Sequence, residues 1–242
     1  MKQLLRTIRR PFVWLLVTII YGLGCLCYDK KYLTGRYFDR WHFSTGWEWV
    51  LRDWFRQKVL GQNGHVPWPV PPWIHIGAPQ NIVFDPDDMQ NFRGTGSYFQ
   101  GIDGKIVIGK GCAIAPGVGL ITANHNPSDV YGHLPGKDII LGEQCWLGMN
   151  AVILPGVTLG PHTAVGAGAV VTKSFPDGYC VLAGNPARKI KEVDCPHMKN
   201  NIIENAPPPA DIKGNCILCV WQSDLILAPD PAAPSHEGRH RV

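Results

Sequence analysis

The sequence predicts an all-β solenoid, a parallel β-helix in which each run of six residues forms one short side of a coil. Between Leu141 and Pro176 the first residue of every six-residue unit is aliphatic, the fifth is mostly small, and four of the six second places hold glycine. The first residues of these units are Leu141, Leu147, Ile153, Leu159, Val165 and Val171. A period of six fits neither an α-helix, which repeats at about 3.6 residues, nor a strand, which repeats at about two.

Each place in the six-residue unit has a predicted role. The aliphatic first residue points into a narrow core, the small fifth residue shares that core, and glycine permits the corner. Cys112 and Cys145 occupy fifth places. We therefore expect these two cysteines to pack in the core rather than to form part of a disulfide framework.

Residues 1–72 are expected to form a helical, membrane-associated and aromatic-rich region. Residues 2–10 carry four basic residues, and an uncharged run of 17 residues, from Phe12 to Tyr28, follows them closely. That run is at the lower limit for a spanning helix, and no small-residue cleavage site of a secretory signal follows it. An interfacial or re-entrant anchor over residues 1–31 is favoured over a true span, and a buried core helix remains an alternative.

Ten aromatic residues within residues 32–72 predict either a membrane-interface belt or a helical cap over the end of the solenoid, and the two are compatible. They are Tyr32, Tyr37, Phe38, Trp41, Phe43, Trp47, Trp49, Trp54, Phe55 and Trp68. The proline-rich run at residues 65–72 cannot be helical, and we expect it to lead the chain into the first coil.

The solenoid domain is expected to span residues 73–190, with one break and one loop. Before the loop, first places are expected at Ile76, Ile82, Ile102, Ile108, Ile114 and Leu120, with a break in the period ahead of Ile102. From Leu120 to Leu141 the spacing is 21 residues, which is not a multiple of six, and the content is polar and turn-forming. A loop is therefore predicted to leave at about Asn124 and to return near Ile139, and loops on a rigid repeat tend to carry function.

Residues 191–242 are expected to form an extension that is disordered from about residue 220. Cys195, His197, Cys216 and Cys219 offer zinc ligands, but free thiols are favoured because the Cys-x-His spacing of the first pair is unusual, and no metal site is assigned. The net charge of +4 is too small to indicate nucleic-acid binding. It suits an anionic ligand or an anionic membrane surface.

The motifs CWLGMNAVILPGVTLG, VGAGAVVTKSFP and VLAGNPARKIK follow the predicted loop and resemble the left-handed β-helix O-acetyltransferases. That family includes the maltose, galactoside and capsular-polysaccharide acetyltransferases, which use acetyl-CoA. The resemblance implies a left-handed coil, a homotrimer with sites between subunits, and acetyl transfer to a hydroxyl of a sugar or a cell-surface polysaccharide precursor. Together with the anchor, it implies a location on the cytoplasmic face of the bacterial inner membrane, because acetyl-CoA is cytoplasmic.

By the same resemblance, His125 is the catalytic general base at the start of the loop, after Asn124. The residues expected to hold the donor are Trp146, Gly148, Gly166, Ala167, Thr172, Lys173, Arg188 and Lys191. Among these, the tryptophan would line the cleft, the small residues would lie against pantetheine, and the basic residues would meet the phosphates. We also expect Asn124, Tyr98 and Gln100 to face the acceptor.

The chemistry of acetyl transfer agrees with a histidine in this position. The alcohol must lose its proton as it attacks a thioester carbonyl, and a neutral imidazole takes such a proton at neutral pH. Thiolate leaves readily, so direct attack is sufficient, and the sequence has no Gly-x-Ser-x-Gly elbow for a serine intermediate. Backbone N–H groups around Leu147 and Gly148 can hold the oxyanion. His133, in the same loop, is the rival general base.

Two other functions are not excluded by the sequence. A γ-type carbonic anhydrase shares the solenoid but needs three histidines on one zinc, and only His125, His133 and His162 are near, without the matching spacing. A non-catalytic binding or scaffold protein could share the fold, but it would not need the complete set of site residues. A serine acetyltransferase is disfavoured because the N-terminal region is apolar and aromatic rather than a long soluble helical domain.

Overall fold

The computed structural model describes residues 2–193, with side chains from residue 11 onward. Its N-terminal region contains helix α1 (Lys2–Cys27) and helix α2 (Thr45–Trp54), which pack against each other. Short helical turns are formed by Lys30–Tyr32, Phe55–Val59, Pro79–Asn81 and Pro86–Arg93. Within residues 2–193, none of the helices has the length and apolar character that a membrane crossing requires. The possible zinc ligands Cys195, His197, Cys216 and Cys219 lie outside the described residues.

The chain then winds into a parallel β-helix with three faces, and each coil runs from face A to face B to face C. Face A contains β1 (His75–Gly77), β3 (Tyr98–Gln100), β6 (Gly119–Ile121), β11 (Val152–Ile153) and β14 (Val170–Val171). Face B contains β2 (Ile82–Val83), β4 (Ile106–Ile108), β9 (Ile139–Leu141) and β12 (Thr158–Leu159). Face C contains β5 (Ala113–Ile114), β10 (Trp146–Leu147), β13 (Ala164–Val165), β15 (Cys180–Gly184) and the antiparallel β16 (Ala187–Glu192).

The six-residue pattern is confirmed as the core of the solenoid. All six predicted first residues from Leu141 to Val171 are buried. Equivalent residues of successive coils lie in register, so that Leu120, Ile153 and Val171 form one ladder on face A. Because every coil contributes the same kind of side chain at the same place, the core is a continuous apolar column.

Ahead of the loop, one predicted first place was wrong. Ile102 is 52% exposed, whereas Phe99 is fully buried and pairs with Leu120 on face A. The turn at residues 101–104 lengthens this side of the coil beyond six residues, which moves the core residue away from the expected place. Cys112 and Cys145 are buried in the core, as predicted.

Glycine at the second place of the repeat is explained by close approach of the next coil. An ideal Cβ on Gly142 would lie 2.6 Å from the backbone nitrogen of Pro161, and one on Gly148 would lie 2.7 Å from that of Ala167. Real Cβ atoms do not approach backbone so closely, so neither position accepts a side chain without moving the coil above it.

The aromatic-rich region is a cap on the first coil, so that part of the expectation is confirmed. Trp47 and Trp68 are fully buried, and the Trp68 ring contacts Phe92, which in turn contacts Phe99 in the solenoid core. Residues 65–72 form the predicted non-helical lead into the first coil. The apolar core is therefore continuous from the cap into the β-helix.

Polar groups also join the cap to the first coils. The guanidinium of Arg93 donates to the carboxylate of Asp53 in α2 at 2.6 Å, and the Asp53 side chain is buried while that of Arg93 is partly buried. Burial opposes the charged form of Arg93 and lowers its pKa, against the pull of the neighbouring carboxylate. Asn91 takes the place of a strand at the end of face C, because its amide donates to the carbonyl of Cys112 at 3.0 Å and accepts from the N–H of Ile114 at 2.9 Å.

Candidate active site

The predicted loop leaves the solenoid between β6 and β9, at the edge where face A turns into face B. It contains an antiparallel hairpin of β7 (His125–Asn126) and β8 (Asp129–His133). We call this edge, formed by residues 122–138, 154–157 and 172–174, the loop edge. The loop returns along it, since an ideal Cβ on Gly156 would lie 3.0 Å from Cδ of Lys137.

The side chain of Gln100 fixes the backbone where the loop leaves the solenoid. Its Oε1 accepts from the backbone N–H groups of Thr122 at 2.9 Å and Ala123 at 3.0 Å, and its Nε2 donates to the carbonyl of Ala123 at 3.2 Å. The side chain is buried. Within this chain, its amide therefore positions the loop two residues before His125, in place of the expected exposure to an acceptor.

His125 is exposed on the hairpin, and its ring orientation is fixed by two neighbours. Its Nδ1 lies 2.9 Å from the carbonyl oxygen of Val130, and its ring centroid lies 4.4 Å from that of His133. A carbonyl only accepts, so Nδ1 carries the hydrogen in the neutral ring and Nε2 is left as the basic nitrogen. The adjacent Asn124 is exposed, and its carbonyl accepts from the N–H of Leu134 at 2.8 Å.

The residues predicted to line the donor cleft lie at a different edge, where face C turns into face A. We call this edge, formed by residues 148–151, 166–169 and 184–186, the small-residue edge. Trp146 precedes it on face C, where its neighbours in the ladder are Ala113 and Ala164, so the indole is flanked by small side chains. Gly166 is half-buried and Ala167 is exposed, which leaves an open shelf beside the indole.

Two predicted cationic residues lie on β16, beyond the last coil of face C. Arg188 pairs with Ala183 and Lys191 with Val181 across the β15–β16 hairpin. Both are exposed, and Arg188 donates to the carbonyl of Ala187 at 3.1 Å. The turn between the two strands belongs to the small-residue edge, so Arg188 lies near the shelf.

Thr172 and Lys173 lie at the loop edge instead. They follow β14 on face A, and both are exposed. The ammonium of Lys173 lies 5.5 Å from the ring centroid of Phe175. The same edge carries the His125 loop two coils away, and the hydroxyl of Ser174 donates to the carbonyl of Gly156 in the coil between them.

The structure thus divides the predicted site between two edges of one chain. The loop edge carries His125 and Lys173, and the small-residue edge carries Ala167 and Arg188, with Trp146 next to it. Face A separates these edges on one side, and faces B and C separate them on the other. A single chain does not bring the two groups together.

Sequence reasoning missed an aromatic platform on face A. The rings of His75 and Tyr98 stack at 4.8 Å and 18°, and the next coil has Gly119 at the corresponding position. The second face of the Tyr98 ring is therefore not covered by a side chain of the next coil. The exposed Trp73 and the stack border a cavity of about 490 Å³ next to this platform. Both stacked residues directly precede core residues, which was the available signal.

The carbonic anhydrase alternative finds no support in the described part of the chain. Among residues 2–193, no three His, Cys, Asp or Glu residues are grouped so as to hold a metal ion. His162 lies on the third edge of the solenoid, where face B turns into face C. The centroid of its ring lies 4.9 Å from that of the Tyr179 ring, and the two rings stack. Its burial lowers the pKa of the imidazole, partly opposed by Glu143. It therefore belongs to a different edge from His125 and His133.

Residues 138–173 match the model described as "Bacterial transferase hexapeptide (six repeats)". The chain is 33% identical over 150 residues to galactoside O-acetyltransferase of Escherichia coli, which corresponds to 61% of this chain and 68% of that protein. It is 39% identical over 97 residues to a Saccharomyces cerevisiae protein named as an acetyltransferase, covering 38% of this chain and 48% of that protein.

Among solved structures, the chain resembles galactoside acetyltransferase in complex with coenzyme A, with a TM-score of 0.42 and 27% identity over 59% of this chain and 70% of that one. The chain covers 48%, 64% and 44% of the length of three of its curated relatives, which is less than two thirds in each case.

Proposed function

Because this chain belongs to the family of hexapeptide-repeat acetyltransferases, we propose that it transfers an acetyl group from acetyl-CoA to a hydroxyl of a saccharide. The observation that carries the proposal is the histidine loop on a regular solenoid, with a shelf of small residues and exposed cations at another edge. The loop offers a base, and the shelf with its cations offers a place for a long anionic thioester. Membership of the family also gives the coil its left hand.

His125 is proposed to act as the general base. Its Nε2 accepts the proton of the acceptor hydroxyl while that oxygen attacks the thioester carbonyl, because Nδ1 donates to the carbonyl of Val130 and fixes the tautomer. As the carbon–sulfur bond breaks, the imidazolium returns its proton to the sulfur of the leaving coenzyme A. Backbone N–H groups of the coil corners are the donors available to the oxyanion.

The complete site is proposed to form between copies of the chain in a homotrimer. The loop edge, with His125 and Lys173, would face the small-residue edge of a neighbour, with its Trp146, Ala167 and Arg188. Each edge differs from the other, so the contact is heterologous, and a heterologous contact closes into a ring when the rotation permits. The division of the site residues between two edges of one chain supports this arrangement.

The donor is proposed to lie along the small-residue edge. The shelf at Gly166 and Ala167 has room for the pantetheine arm, and the indole of Trp146 flanks it. The exposed guanidinium of Arg188 on one chain and the ammonium of Lys173 on its neighbour would meet phosphates from opposite sides. Charge-assisted contacts of this kind bind the donor without taking part in the chemistry.

The acceptor is proposed to lie on face A, against the free side of the Tyr98 ring. Gly119 adds no side chain at that place, which is bordered by Val152 of the following coil, and it belongs to the same coil that carries His125. Sugar rings present apolar C–H faces that pack on aromatic rings, and Tyr98 is 39% exposed. The exposed aromatic ring of Tyr98 supports a saccharide as the acceptor class.

The direct test is the transfer of labelled acetyl groups from acetyl-CoA to nucleotide sugars, glycolipids and oligosaccharides. We expect an acetylated product with at least one of these classes. A protein that binds acetyl-CoA but acetylates none of them, or that does not bind acetyl-CoA, contradicts the proposal.

Replacing Lys173 or Arg188 with alanine is expected to raise the KM for acetyl-CoA by about tenfold, with a smaller change in kcat. Both cations are proposed to bind phosphates, so added salt should weaken the wild type more than either variant. Lys189→Ala is the matched control, because the ammonium of Lys189 is engaged with Glu192 at 2.6 Å. An unchanged donor KM in both variants would remove these residues from the site.

A further inference from the structure

Helix α1 has two apolar faces, and within the part of the chain that the structure describes only one of them is covered. The inner face contains Val17, Ile20 and Gly24, which are buried. It is packed closely, since an ideal Cβ on Gly24 would lie 3.0 Å from Cδ1 of Leu33 and 3.8 Å from Cγ1 of Val50 in α2. The cap therefore holds the helix along this inner face.

The outer face of α1 is an apolar stripe exposed to solvent. Its members are Phe12 at 70%, Leu15 at 52%, Leu16 at 47%, Ile19 at 62% and Leu26 at 87% exposure. Phe12 and Leu15, like Leu16 and Ile19, are three residues apart, Phe12 and Leu16, like Leu15 and Ile19, are four apart, and Leu26 follows Ile19 by seven, which puts all five on one side of a helix. Four of these side chains, from Phe12 to Ile19, adjoin one another and Leu26 lies two turns further on, all opposite a packed face, which marks a binding surface rather than scattered exposure.

Charge identifies the partner of this stripe. Residues 1–40 contain eight Lys and Arg against two Asp, a net charge of +6, whereas the whole chain carries +4, so residues 41–242 are net −2. Among the described side chains, Lys30 and Lys31 are exposed just after the C-terminal end of α1, and Arg40 is exposed at its flank, where the guanidinium lies 3.5 Å from the ring centroid of Tyr21. An apolar stripe bordered by cations matches an anionic lipid surface.

The same charge argues against a second copy as the partner. Two copies pairing through this stripe would bring two segments of like charge together, which is unfavourable. An anionic bilayer instead compensates the charge and accepts the apolar side chains among its acyl chains. The inner face is packed against Leu33 and Val50 at Gly24 and is buried at Val17 and Ile20, so among the described residues the outer face is the one open to lipid.

We propose that α1 lies flat on an anionic membrane, with the stripe of Phe12, Leu15, Leu16, Ile19 and Leu26 inserted among the lipids and the cap held above it. The binding itself is independent of the proposed acetyl transfer. The proposed acetyl transfer determines only which leaflet is bound. Because acetyl-CoA is cytoplasmic, that function points to the cytoplasmic leaflet. The solenoid would then stand on the membrane through its cap.

The experiment measures flotation of the full chain with vesicles of phosphatidylcholine mixed with phosphatidylglycerol, and with vesicles of phosphatidylcholine alone. Wild type should float with the mixed vesicles, less with the neutral ones, and less again at high salt. Ile19→Glu and, separately, Leu15→Glu should each weaken flotation at least about tenfold, because an apolar anchor is lost and a like charge meets the lipid.

Ile190→Glu is the matched control, because Ile190 is 59% exposed on β16 and Ile19 is 62% exposed on α1. It should float as wild type does, and circular dichroism should show all variants folded. Point substitutions are preferred to removal of residues 1–31, which would also take Val17 and Ile20 from the cap. The proposal is overturned if wild type binds neither vesicle, binds both equally, or is weakened equally by Ile19→Glu and Ile190→Glu. Wild type that ignores vesicles, with a smaller oligomer for Ile19→Glu, would identify a second copy as the partner and also overturn it.

Discussion

Replacing His125 with alanine is expected to lower kcat for acetyl transfer by about 10²- to 10⁴-fold, with little change in the KM for acetyl-CoA. The imidazole is proposed to touch the reacting hydroxyl and not the nucleotide, so the loss belongs to the chemical step. The fold should survive, because His125 is exposed on a hairpin outside the three faces. Wild-type activity should also fall towards acidic pH, because a protonated imidazole cannot accept the hydroxyl proton.

His133→Ala is the control for this experiment. His133 lies in the same hairpin and contacts the His125 ring at 4.4 Å, so its removal disturbs the loop to a similar degree. It should retain most of the activity. A large loss only in His133→Ala would transfer the role of base to that residue, and a folded His125→Ala enzyme with a near wild-type rate would remove His125 from the mechanism.

Ala167→Trp is expected to raise the KM for acetyl-CoA at least about tenfold, because an indole on the shelf would occupy the space proposed for pantetheine. Ala167 is exposed in a corner of the coil, so a side chain there points away from the core. The larger side chain should therefore not disturb the coil. Donor binding, measured by calorimetry with coenzyme A, should fall in parallel with the kinetic effect.

Asp177→Trp is the matched control for the shelf. Asp177 is also an exposed residue in a corner of the solenoid, but it lies at the third edge, where face B turns into face C. The variant should bind coenzyme A as wild type does. Equal loss of donor binding in Asp177→Trp and Ala167→Trp would mean that the effect comes from a general disturbance of the coil and not from a blocked shelf.

The sequence was sufficient to predict the core of the solenoid wherever every coil follows the same six-residue pattern. The first residues from Leu141 to Val171 could be predicted because each occupies an equivalent place against the same apolar column. The rule failed at Ile102 because residues 101–104 lengthen one side of the coil. The conformational preferences of isoleucine do not reveal this change in the length of the coil. The buried Phe99 shows where the core residue moved.

The candidate site was predictable in its residues but not in its arrangement. His125 and Trp146 could be named from motifs, whereas their separation onto different edges follows from the register of each coil. The stack of His75 on Tyr98 was missed because the break ahead of Ile102 hid that register. The amide of Gln100 holds the root of the loop, and only the fold shows that it is buried.

The N-terminal helix shows another limit of sequence reasoning. Residues 12–28 are apolar all round, so the sequence could not separate a packed face from an exposed one. The separation depends on residues outside the helix: Leu33 and Val50 pack against Gly24, and Val17 and Ile20 are buried in the same apolar core. Tertiary packing thus decides which apolar residues remain available for a partner.

Whether the site forms between two chains can be tested by mixing two inactive variants in one oligomer. Differently tagged His125→Ala and Ala167→Trp chains are co-expressed, and mixed oligomers are purified through both tags. Activity is then measured at an acetyl-CoA concentration at which neither variant alone turns over. In a mixed trimer, one of the three contacts joins an intact loop edge to an intact small-residue edge, so we expect about a third of the wild-type rate. Mixed oligomers that form but show no activity above the separate variants would contradict a site shared between chains.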